Sequence, residues 1–152
     1  MEQINFRIAT IDDLAAVVGM LADDALGSVR ESPDDLGPYR AAFAEIEGDP
    51  RQELLVADYE GAVVGTAQLS YLPGLAHRGA ERAQIESVRV GRAVRGTGLG
   101  TRLIEECVRR ARERGCGLVQ LTSDKSRVDA HRFYDRLGFE ATHVGYKLKL
   151  TP

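Results

Sequence analysis

The feature that most constrains the fold is a glycine-rich turn between an apolar strand pattern and a strongly amphipathic helix pattern. The turn runs from Arg95 to Gly100 and carries three alternating glycines. Glycines let the backbone turn sharply and let an anion approach the main chain, while the free amides at a helix start attract negative charge. A strand, such a turn and a helix in this order are typical of an α/β domain with an anion site at the turn.

The spacing of the glycines distinguishes between known phosphate-binding loops. A Walker loop needs Gly-Lys-Ser or Gly-Lys-Thr, which the chain lacks, and the dinucleotide fingerprint fails because Thr101 or Leu103 stands where its third glycine is required. The pattern present is R-x-x-G-x-G, formed by Arg95, Gly98 and Gly100. A glycine cluster can also serve only as a tight turn. This cluster follows an arginine and precedes an amphipathic helix, and that position favours an anion site.

Apolar periodicity predicts the elements that follow the turn. A helix begins at Leu99 with one apolar face and one charged face, and Gly115 ends it. Residues 118–121 are almost continuously apolar, which predicts a strand covered on both faces. A helix over 130–137 and a final alternating strand complete the chain. The apolar face of that last strand comprises Val144, Tyr146, Leu148 and Leu150.

The first half of the chain predicts a strand, two helices and a hairpin. Residues 4–8 alternate as a half-buried strand does, and Thr10 can cap a helix whose apolar stripe spans 14–21. After an acidic connection, a second helix is predicted over 39–46. Two further apolar runs flank a turn that places Gly61 where a positive φ is wanted, which indicates a hairpin.

A strand over 83–90 leads into the glycine turn, and its apolar residues change phase. Ile85 is at an odd position, whereas Val88 and Val90 are at even positions. Such a slip predicts a β-bulge, which re-aims side chains and leaves backbone groups unpaired. The predicted order β-α-α-β-β-β-α-β-α-β is a mixed α/β domain. Because no repeat or linker interrupts it, residues 1–152 are expected to form a single domain.

Composition and charge exclude several classes of protein. Hydrophobic residues at 43% and charged residues at 28% are globular values, and a net charge of -3 argues against a nucleic-acid or membrane-surface binder. Two cysteines, Cys107 and Cys116, form no disulfide framework, and neither a signal-peptide pattern nor a membrane-length apolar run is present. We therefore expect a cytoplasmic protein with both thiols reduced.

Two motifs together resemble the GNAT acetyltransferase superfamily: residues 95–100 after the strand 88–90, and residues 130–139 about thirty residues later. Within it the chain is similar to a bacterial group through residues 85–90 and 122–125. The element order agrees over almost the whole chain. The resemblance implies a central mixed β-sheet flanked by helices. Its fourth and fifth strands would splay apart, with acetyl-CoA lying between them as co-substrate.

The resemblance also implies a set of acetyl-CoA contacts. Backbone groups of Val88 and Val90 would bond the pantetheine arm, and amides of the glycine turn would hold the pyrophosphate. The turn residues are Arg95, Gly96, Thr97, Gly98, Leu99 and Gly100. The chain departs from the family at Arg92, where proline is frequent, and at Arg127, where asparagine is frequent. The second departure leaves one usual cofactor contact open.

Acetylation of an amine requires a base and an acid. A primary amine with a pKa near about 10 is mostly protonated at pH 7 and must lose a proton before it attacks. Glu86 is the candidate base, because its strand leads into the turn; the alternative is a carboxylate on a solvated strand face. Tyr134 matches the tyrosine to which the family assigns protonation of the departing thiolate. The alternative for Tyr134 is a core residue.

Other reactive side chains fit structural roles better. Cys107 falls on the buried helix face, and Asp124 and Asp129 lie near a helix start, where capping is expected. The histidines show no metal-binding spacing, so no metal is expected. These histidines are His77, His131 and His143.

By the same resemblance, residues 26–38 and 72–82 would shape the acceptor pocket. Acidic residues near the first segment would favour a cation, so the hypothesis is a small primary amine, with no nucleic-acid or membrane partner and a homodimer by resemblance only. The acids are Asp23, Asp24, Glu31, Asp34 and Asp35.

Three functions from different classes stay open at this point. The first is an N-acetyltransferase that transfers directly within a ternary complex. The second is a non-catalytic acyl-CoA sensor or regulatory domain, and the presence of both Glu86 and Tyr134 favours the enzyme over it. The third is a nucleotide-binding interaction module, which the failed Walker and dinucleotide patterns disfavour.

Overall fold

The structure, a computed structural model, describes residues 3–151 and consists of two compact units, the first ending at Gln120 and the second starting at Leu121. The strands are β1 (Ile4–Ile8), β2 (Gln52–Tyr59), β3 (Ala62–Leu72), β4 (Arg82–Val90) and β5 (Leu118–Leu121). The helices are α1 (Leu14–Ala22), α2 (Gly27–Arg30), α3 (Gly37–Glu47), α4 (Ala76–Gly79), α5 (Leu99–Arg114) and α6 (Val128–Arg136). Single 3-10 turns span Ile11–Asp13 and Arg92–Val94.

The five strands form one mixed sheet in the order β1-β2-β3-β4-β5. The pairs β1–β2, β2–β3 and β3–β4 are antiparallel. β5 runs parallel to β4, because Gly117 N donates to Glu81 O at 2.8 Å and the Gln120 side chain meets that of Gln84, so residue numbers rise together along both strands. The helix α5 makes the connection between them, as parallel strands require. The predicted mixed α/β fold class is confirmed.

One face of the sheet is covered by α5, whose apolar stripe was predicted from its spacing. The helix contacts β3 and β4, and its inward side chains are almost fully buried. They are Leu99, Leu103, Ile104, Cys107 and Ala111. Gly115 ends the helix with a φ of 89°, and Cys116 N donates to Ala111 O at 3.0 Å, a glycine-dependent helix end.

The opposite face carries a second apolar cluster, which α1 and α3 supply. Both helices fall where the periodicity predicts them, and their side chains meet those of β2. The buried members are Ala9, Leu14, Val17, Val18, Phe43, Leu54 and Val56. The β2–β3 hairpin is also confirmed, with φ angles of 51° at Glu60 and 87° at Gly61.

The predicted bulge in β4 is present. Ala67 of β3 faces two residues, Ser87 and Val88, where the ladder otherwise pairs one residue with one. Ser87 has a φ of 54°, which accommodates the extra residue. Ile85 and Val90 both lie opposite odd-numbered residues of β3 and therefore share one face of the sheet, although one is odd-numbered and the other even-numbered. The extra residue of the bulge accounts for this change of phase in the sequence.

Two predictions about the end of the chain are wrong for the described residues. Residues 139–151 contain no assigned strand, although their alternation predicts one. β5 is half-buried and lies at the sheet edge instead of being covered on both faces, and Leu118 is exposed. Alternation expresses which side chains share a face, but a strand also needs a partner for its backbone groups.

The segment between β3 and β4 differs from the predicted loop in one detail. It contains the single turn α4, in which His77, Arg78 and Gly79 have positive φ angles between 56° and 76°. Among the residues that the structure describes, no helix combines the length and apolarity needed to span a membrane.

An ion-pair network joins the first strand to the start of α1. The Arg7 guanidinium binds both carboxylate oxygens of Asp13 at 2.7 and 2.9 Å and also contacts Asp58 at 3.0 Å. The Asp13 carboxylate additionally accepts a bond from Thr10 N at 2.7 Å. These bonds hold the pKa of Asp13 below its ordinary value, the Arg7 hydrogen bond being the main cause.

We expect Asp13→Asn to lower the free energy of unfolding by about 2 kcal/mol at pH 7, because hydrogen bonds to a charged group of low exposure are lost. A carboxyl with a depressed folded pKa stabilises fully above its unfolded pKa, near about 4, and that contribution disappears as the pH falls through the folded pKa. The difference in the free energy of unfolding between the parent and Asp13→Asn should therefore shrink as the pH falls from 7 to 3. Urea unfolding at each pH measures this difference. The exposed neighbour provides a control, Asp12→Asn, which should stay near the parent at every pH.

Candidate active site

The glycine turn at the start of α5 has the conformation of an open anion cradle. Gly96 and Gly98 have φ angles of 78° and 84°, and a Cβ built on either would meet no atom within 4 Å. Arg102 N donates to Gly98 O at 3.2 Å, which is the first helical bond of α5. The amides of Leu99 and Gly100 precede that bond and therefore have no acceptor within the helix.

The cradle is fixed by the core beneath it. Val94 and Leu99, on either side of the exposed residues, are buried beside Ala57 of β2. Thr97 Oγ1 donates to Val94 O at 2.6 Å, which ties the middle of the turn to its start. A turn held at both ends keeps its amides oriented before a ligand arrives, which lowers the entropy lost on binding.

Arginines line the rim of the cradle. Arg95 Nε lies 3.4 Å from Val90 O, and Arg95 Nη2 lies 3.5 Å from the Asp23 carboxylate. Asp23 also accepts from Arg92 Nη2 at 2.5 Å. Both arginines are mostly exposed, so a phosphate in the cradle could compete with one aspartate for two guanidinium groups.

The bulge lies next to the cradle in the chain and frees part of β4 from the ladder. Val88 has no register partner in β3, whereas Val90 pairs with Gly65. The Val88 carbonyl accepts a bond from the Arg89 side chain at 3.0 Å. The predicted pantetheine contact at Val88 requires backbone groups that are not paired with β3, and the bulge provides them. The backbone of Val90 is paired with β3 and does not meet this requirement.

Glu86 lies on the exposed side of β4, just before the bulge. Its carboxylate accepts a bond from Gln84 Nε2 at 2.7 Å, and Gln84 Oε1 in turn accepts from Gln120 Nε2 at 2.9 Å. The structure thus adds a positioning pair, Gln84 and Gln120, that the sequence analysis missed. The polar alternation of Gln84 and Glu86 along the strand is the signal that could have found the first of them.

The same face of the sheet continues as a polar surface across β3 and β2. Gln68 lies opposite Glu86, and Ser70 lies opposite Gln84. Gln52 Oε1 accepts bonds from Gln68 Nε2 at 3.1 Å and from Ser70 Oγ at 2.9 Å. An open cleft of about 570 Å³ is lined by these three side chains and the end of α3. The cleft can accommodate a small polar molecule on the side of the sheet that carries Glu86.

Most of the predicted acidic cluster is already neutralised within the chain. Asp24 lies 3.0 Å from Arg89 Nε, and Glu31 lies 2.8 Å from Arg30 Nε. The Arg30 bond is the main reason that the pKa of Glu31 is below its ordinary value. With Asp23 engaged by two arginines, three of the five acids do not offer free charge to a cationic acceptor.

In the second unit, Tyr134 lies half-buried on α6 within an aromatic group. Its ring meets Phe133 edge-on at 5.1 Å and Phe139 at 5.8 Å between centroids. These contacts fix the plane of the phenol. Arg127 is the N-cap residue of α6, and the Asp124 carboxylate accepts bonds from Ser126 N and Oγ in the turn before it. The predicted capping role of Asp124 is therefore wrong, because its carboxylate bonds within the turn before α6 and no side-chain hydrogen bond caps the start of that helix.

The environment of Cys107 does not activate its thiol. Cys107 is fully buried, and burial raises the pKa of its thiol to about 12, so the thiolate is scarce at neutral pH. Both cysteines are free thiols. Within residues 3–151, no group of three or more histidine, cysteine or acidic side chains could hold a metal ion.

Known proteins resemble this chain in sequence and in fold. The sequence model of the Acetyltransferase (GNAT) family matches residues 17–139. The glucosamine 6-phosphate N-acetyltransferase of Trypanosoma brucei brucei is 36% identical over 129 residues, or 84% of this chain and 86% of that protein. The aminoalkylphosphonate N-acetyltransferase of Salmonella typhimurium is 28% identical over 146 residues, or 96% and 91%. A solved structure described as a transcriptional regulator from Bacillus halodurans C-125 superimposes with a TM-score of 0.93 at 45% identity, covering 97% and 100%.

Proposed function

This chain belongs to the GNAT family of acetyltransferases, and from that premise we propose that it transfers the acetyl group of acetyl-CoA directly to the primary amine of a small molecule within a ternary complex. The observation that carries the proposal is the cradle at the start of α5, with two glycines at positive φ above open space. Its position directly after a bulged strand supports acetyl-CoA over a simple mononucleotide, because a long pantetheine arm needs a strand edge as well as a phosphate site.

The residues present fit acetyl-CoA as the acetyl donor. Amides of the turn Arg95–Gly100 would hold the pyrophosphate, and the Arg95 guanidinium would exchange its contact with Asp23 for a phosphate oxygen. The unladdered backbone at Val88, and to a lesser extent Val90, would bond the amides of the pantetheine arm. The turn set is Arg95, Gly96, Thr97, Gly98, Leu99 and Gly100. When bound, acetyl-CoA supplies a thioester whose carbonyl carbon accepts a nucleophile.

Glu86 and Tyr134 would supply the two proton transfers. The Glu86 carboxylate would take a proton from the substrate ammonium, directly or through water, so that the neutral nitrogen can form the new C–N bond. The C–S bond would then break, the departing thiolate would receive the phenolic proton of Tyr134, and the second proton lost by the nitrogen would return through solvent to the tyrosinate, so that the phenol is restored. Gln84, held by Gln120, would keep the Glu86 carboxylate oriented while leaving its second oxygen for the proton.

The polar sheet face beside Glu86 supports a small acceptor. Gln52, Gln68 and Ser70 offer amide and hydroxyl groups, which suit hydroxyl or other neutral polar groups of a substrate better than they suit an apolar chain. Two relatives are named for small amines, an aminoalkylphosphonate and glucosamine 6-phosphate. Since most of the acidic cluster is paired with arginines, the preference for an amine would come from Glu86 rather than from general negative charge.

The alternative function is a non-catalytic acyl-CoA sensor or regulatory domain. Calorimetry with acetyl-CoA, free CoA and NAD, followed by thiol-release assays on a panel of amines, separates the two. We expect selective binding of the CoA species and turnover of at least one small primary amine. Binding without turnover of any acceptor would favour the sensor, and turnover of neutral or acidic acceptors alone would contradict the primary-amine proposal.

Replacement of Glu86 by glutamine is expected to lower kcat/KM for the amine by about 10- to 100-fold at pH 7. This factor is at the low end for loss of a general base, because Glu86 is exposed and water can accept the proton in its place. The defect should narrow toward pH 10, where more of the amine is already neutral. Thiol release across that pH range measures both effects. Glu105→Gln is the control, and a Glu86→Gln defect that is constant with pH would remove Glu86 as the base.

A further inference from the structure

Asp23, at the end of α1, holds the two arginines beside the cradle. Its carboxylate accepts a hydrogen bond from Arg92 Nη2 at 2.5 Å and lies 3.5 Å from Arg95 Nη2. All three residues belong to the unit that ends at Gln120, so these contacts are internal to that unit. A phosphate in the cradle would need the same guanidinium groups, because arginine binds carboxylates and phosphates through the same N–H donors.

The position of Asp23 is fixed by its neighbour Asp24. One carboxylate oxygen of Asp24 lies 3.0 Å from Arg89 Nε on β4, and the other accepts a hydrogen bond from Gly27 N at 2.6 Å. The start of α2 also lies close against the end of α1, since a Cβ on Gly27 would stand 1.8 Å from Leu21 O. The backbone that carries Asp23 is therefore anchored beside the cradle.

The arginines, in contrast, can change partner. The side chains of Arg92 and Arg95 are 73% and 53% exposed, compared with 35% for Asp23. Exposed side chains change rotamer in nanoseconds or less, so the guanidinium groups can turn from Asp23 to a phosphate while the backbone stays in place. The Asp23 carboxylate would then face a group of its own charge without the two arginines that neutralise it.

We propose that Asp23 is an internal competitor of the cofactor phosphates, which weakens the binding of acetyl-CoA and of CoA alike and so promotes release of CoA after the transfer. The inference rests on the proposed function, because it takes the CoA pyrophosphate as the ligand of the cradle. Donor and product carry the same phosphates, so Asp23 does not distinguish between them. By recapturing Arg92 and Arg95 as the phosphates leave, it lowers the affinity for a product that would otherwise occupy the site.

Calorimetry on the full chain, with acetyl-CoA and with CoA at low ionic strength, compares the parent with Asp23→Asn. We expect the dissociation constants of both ligands to fall by the same factor, about 3- to 10-fold, because the substitution removes two exposed ion pairs and a like charge. The gain should shrink as salt is added, since the Debye length is only about 10 Å at 0.1 M. Asp23→Ser repeats the measurement with a shorter neutral side chain, and circular dichroism checks that both variants are folded.

Two controls assign the gain to the arginines. Asp12→Asn removes an equal charge from an exposed position before α1, and it should leave both dissociation constants within about 1.5-fold of the parent. In a chain that carries Arg92→Gln and Arg95→Gln, the gain from Asp23→Asn should fall below about twofold, because the groups for which Asp23 competes are absent.

The outcomes separate this inference from the proposed function. If the parent binds acetyl-CoA and Asp23→Asn binds it equally or more weakly, Asp23 is not a competitor and the proposed function stands. An equal gain from Asp12→Asn, or a full gain without the two arginines, also overturns the inference alone. A parent that binds neither CoA species overturns the proposed function and this inference with it.

Discussion

Gly98→Val is expected to weaken acetyl-CoA binding at least about 100-fold. Gly98 has a φ of 84° and forms the N-cap of α5, with open space where a Cβ would point. The valine side chain would occupy that space and keep a phosphate from the amides of Leu99 and Gly100. Loss of two hydrogen bonds to a charged group, about 1.5 kcal/mol each, corresponds to that factor. Isothermal titration calorimetry with acetyl-CoA measures it.

The chain contains a matched control for the backbone strain. Gly115 has a φ of 89°, and a Cβ there also meets no atom within 4 Å, but it lies at the opposite end of α5. Gly115→Val should therefore lose comparable stability while retaining acetyl-CoA binding. Gly98→Ala supplies a milder variant if the valine chain fails to fold. Unchanged affinity in a folded Gly98→Val or Gly98→Ala protein would contradict the cradle.

Tyr134→Phe is expected to lower kcat about 100-fold or more while leaving the dissociation constant of acetyl-CoA within about threefold. A general acid contributes a factor of this size, and phenylalanine lacks the proton to donate. The substitution keeps the ring, so its edge-on contacts with Phe133 and Phe139 persist and the fold should not suffer. Steady-state thiol release and calorimetry on the same sample separate the chemical step from binding.

Tyr146→Phe is the control for Tyr134→Phe. It removes a phenol of the same chemistry from a position that is 92% exposed, and it keeps the aromatic ring. We expect its kcat to equal that of the parent. If Tyr134→Phe turns over at the parent rate, Tyr134 is a core residue of α6 and another group protonates the thiolate.

Several parts of the fold and candidate site could be predicted because their causes are local. The stripe of α5 identified its buried face, and Gly115 identified its end, since helical spacing alone determines which side chains share a face. Along a strand, every second side chain shares a face, so the phase change between Ile85 and Val88 located the bulge. The alternating glycines likewise indicated a tight turn at the start of α5, where Gly96 and Gly98 have positive φ angles.

Other parts escaped the sequence because they depend on residues far apart in the chain. Gln120 meets Gln84 across 36 positions, and no local pattern connects them. Asp23 looked like free negative charge, whereas the fold brings Arg92 to it from 69 positions away. Long-range pairing of this kind decides how much charge the site presents, and composition does not contain it.

By itself, the sequence determined the order of the main elements up to α6, the bulged strand and the glycine turn, because periodicity, side-chain shape and backbone freedom act within a few residues. Only the tertiary structure decided which carboxylates are neutralised, which amides orient Glu86, and that residues 139–151 contain no assigned strand. Those outcomes depend on which distant groups become neighbours. An alternating pattern specifies a strand face, but the backbone hydrogen bonds that complete a strand come from another segment.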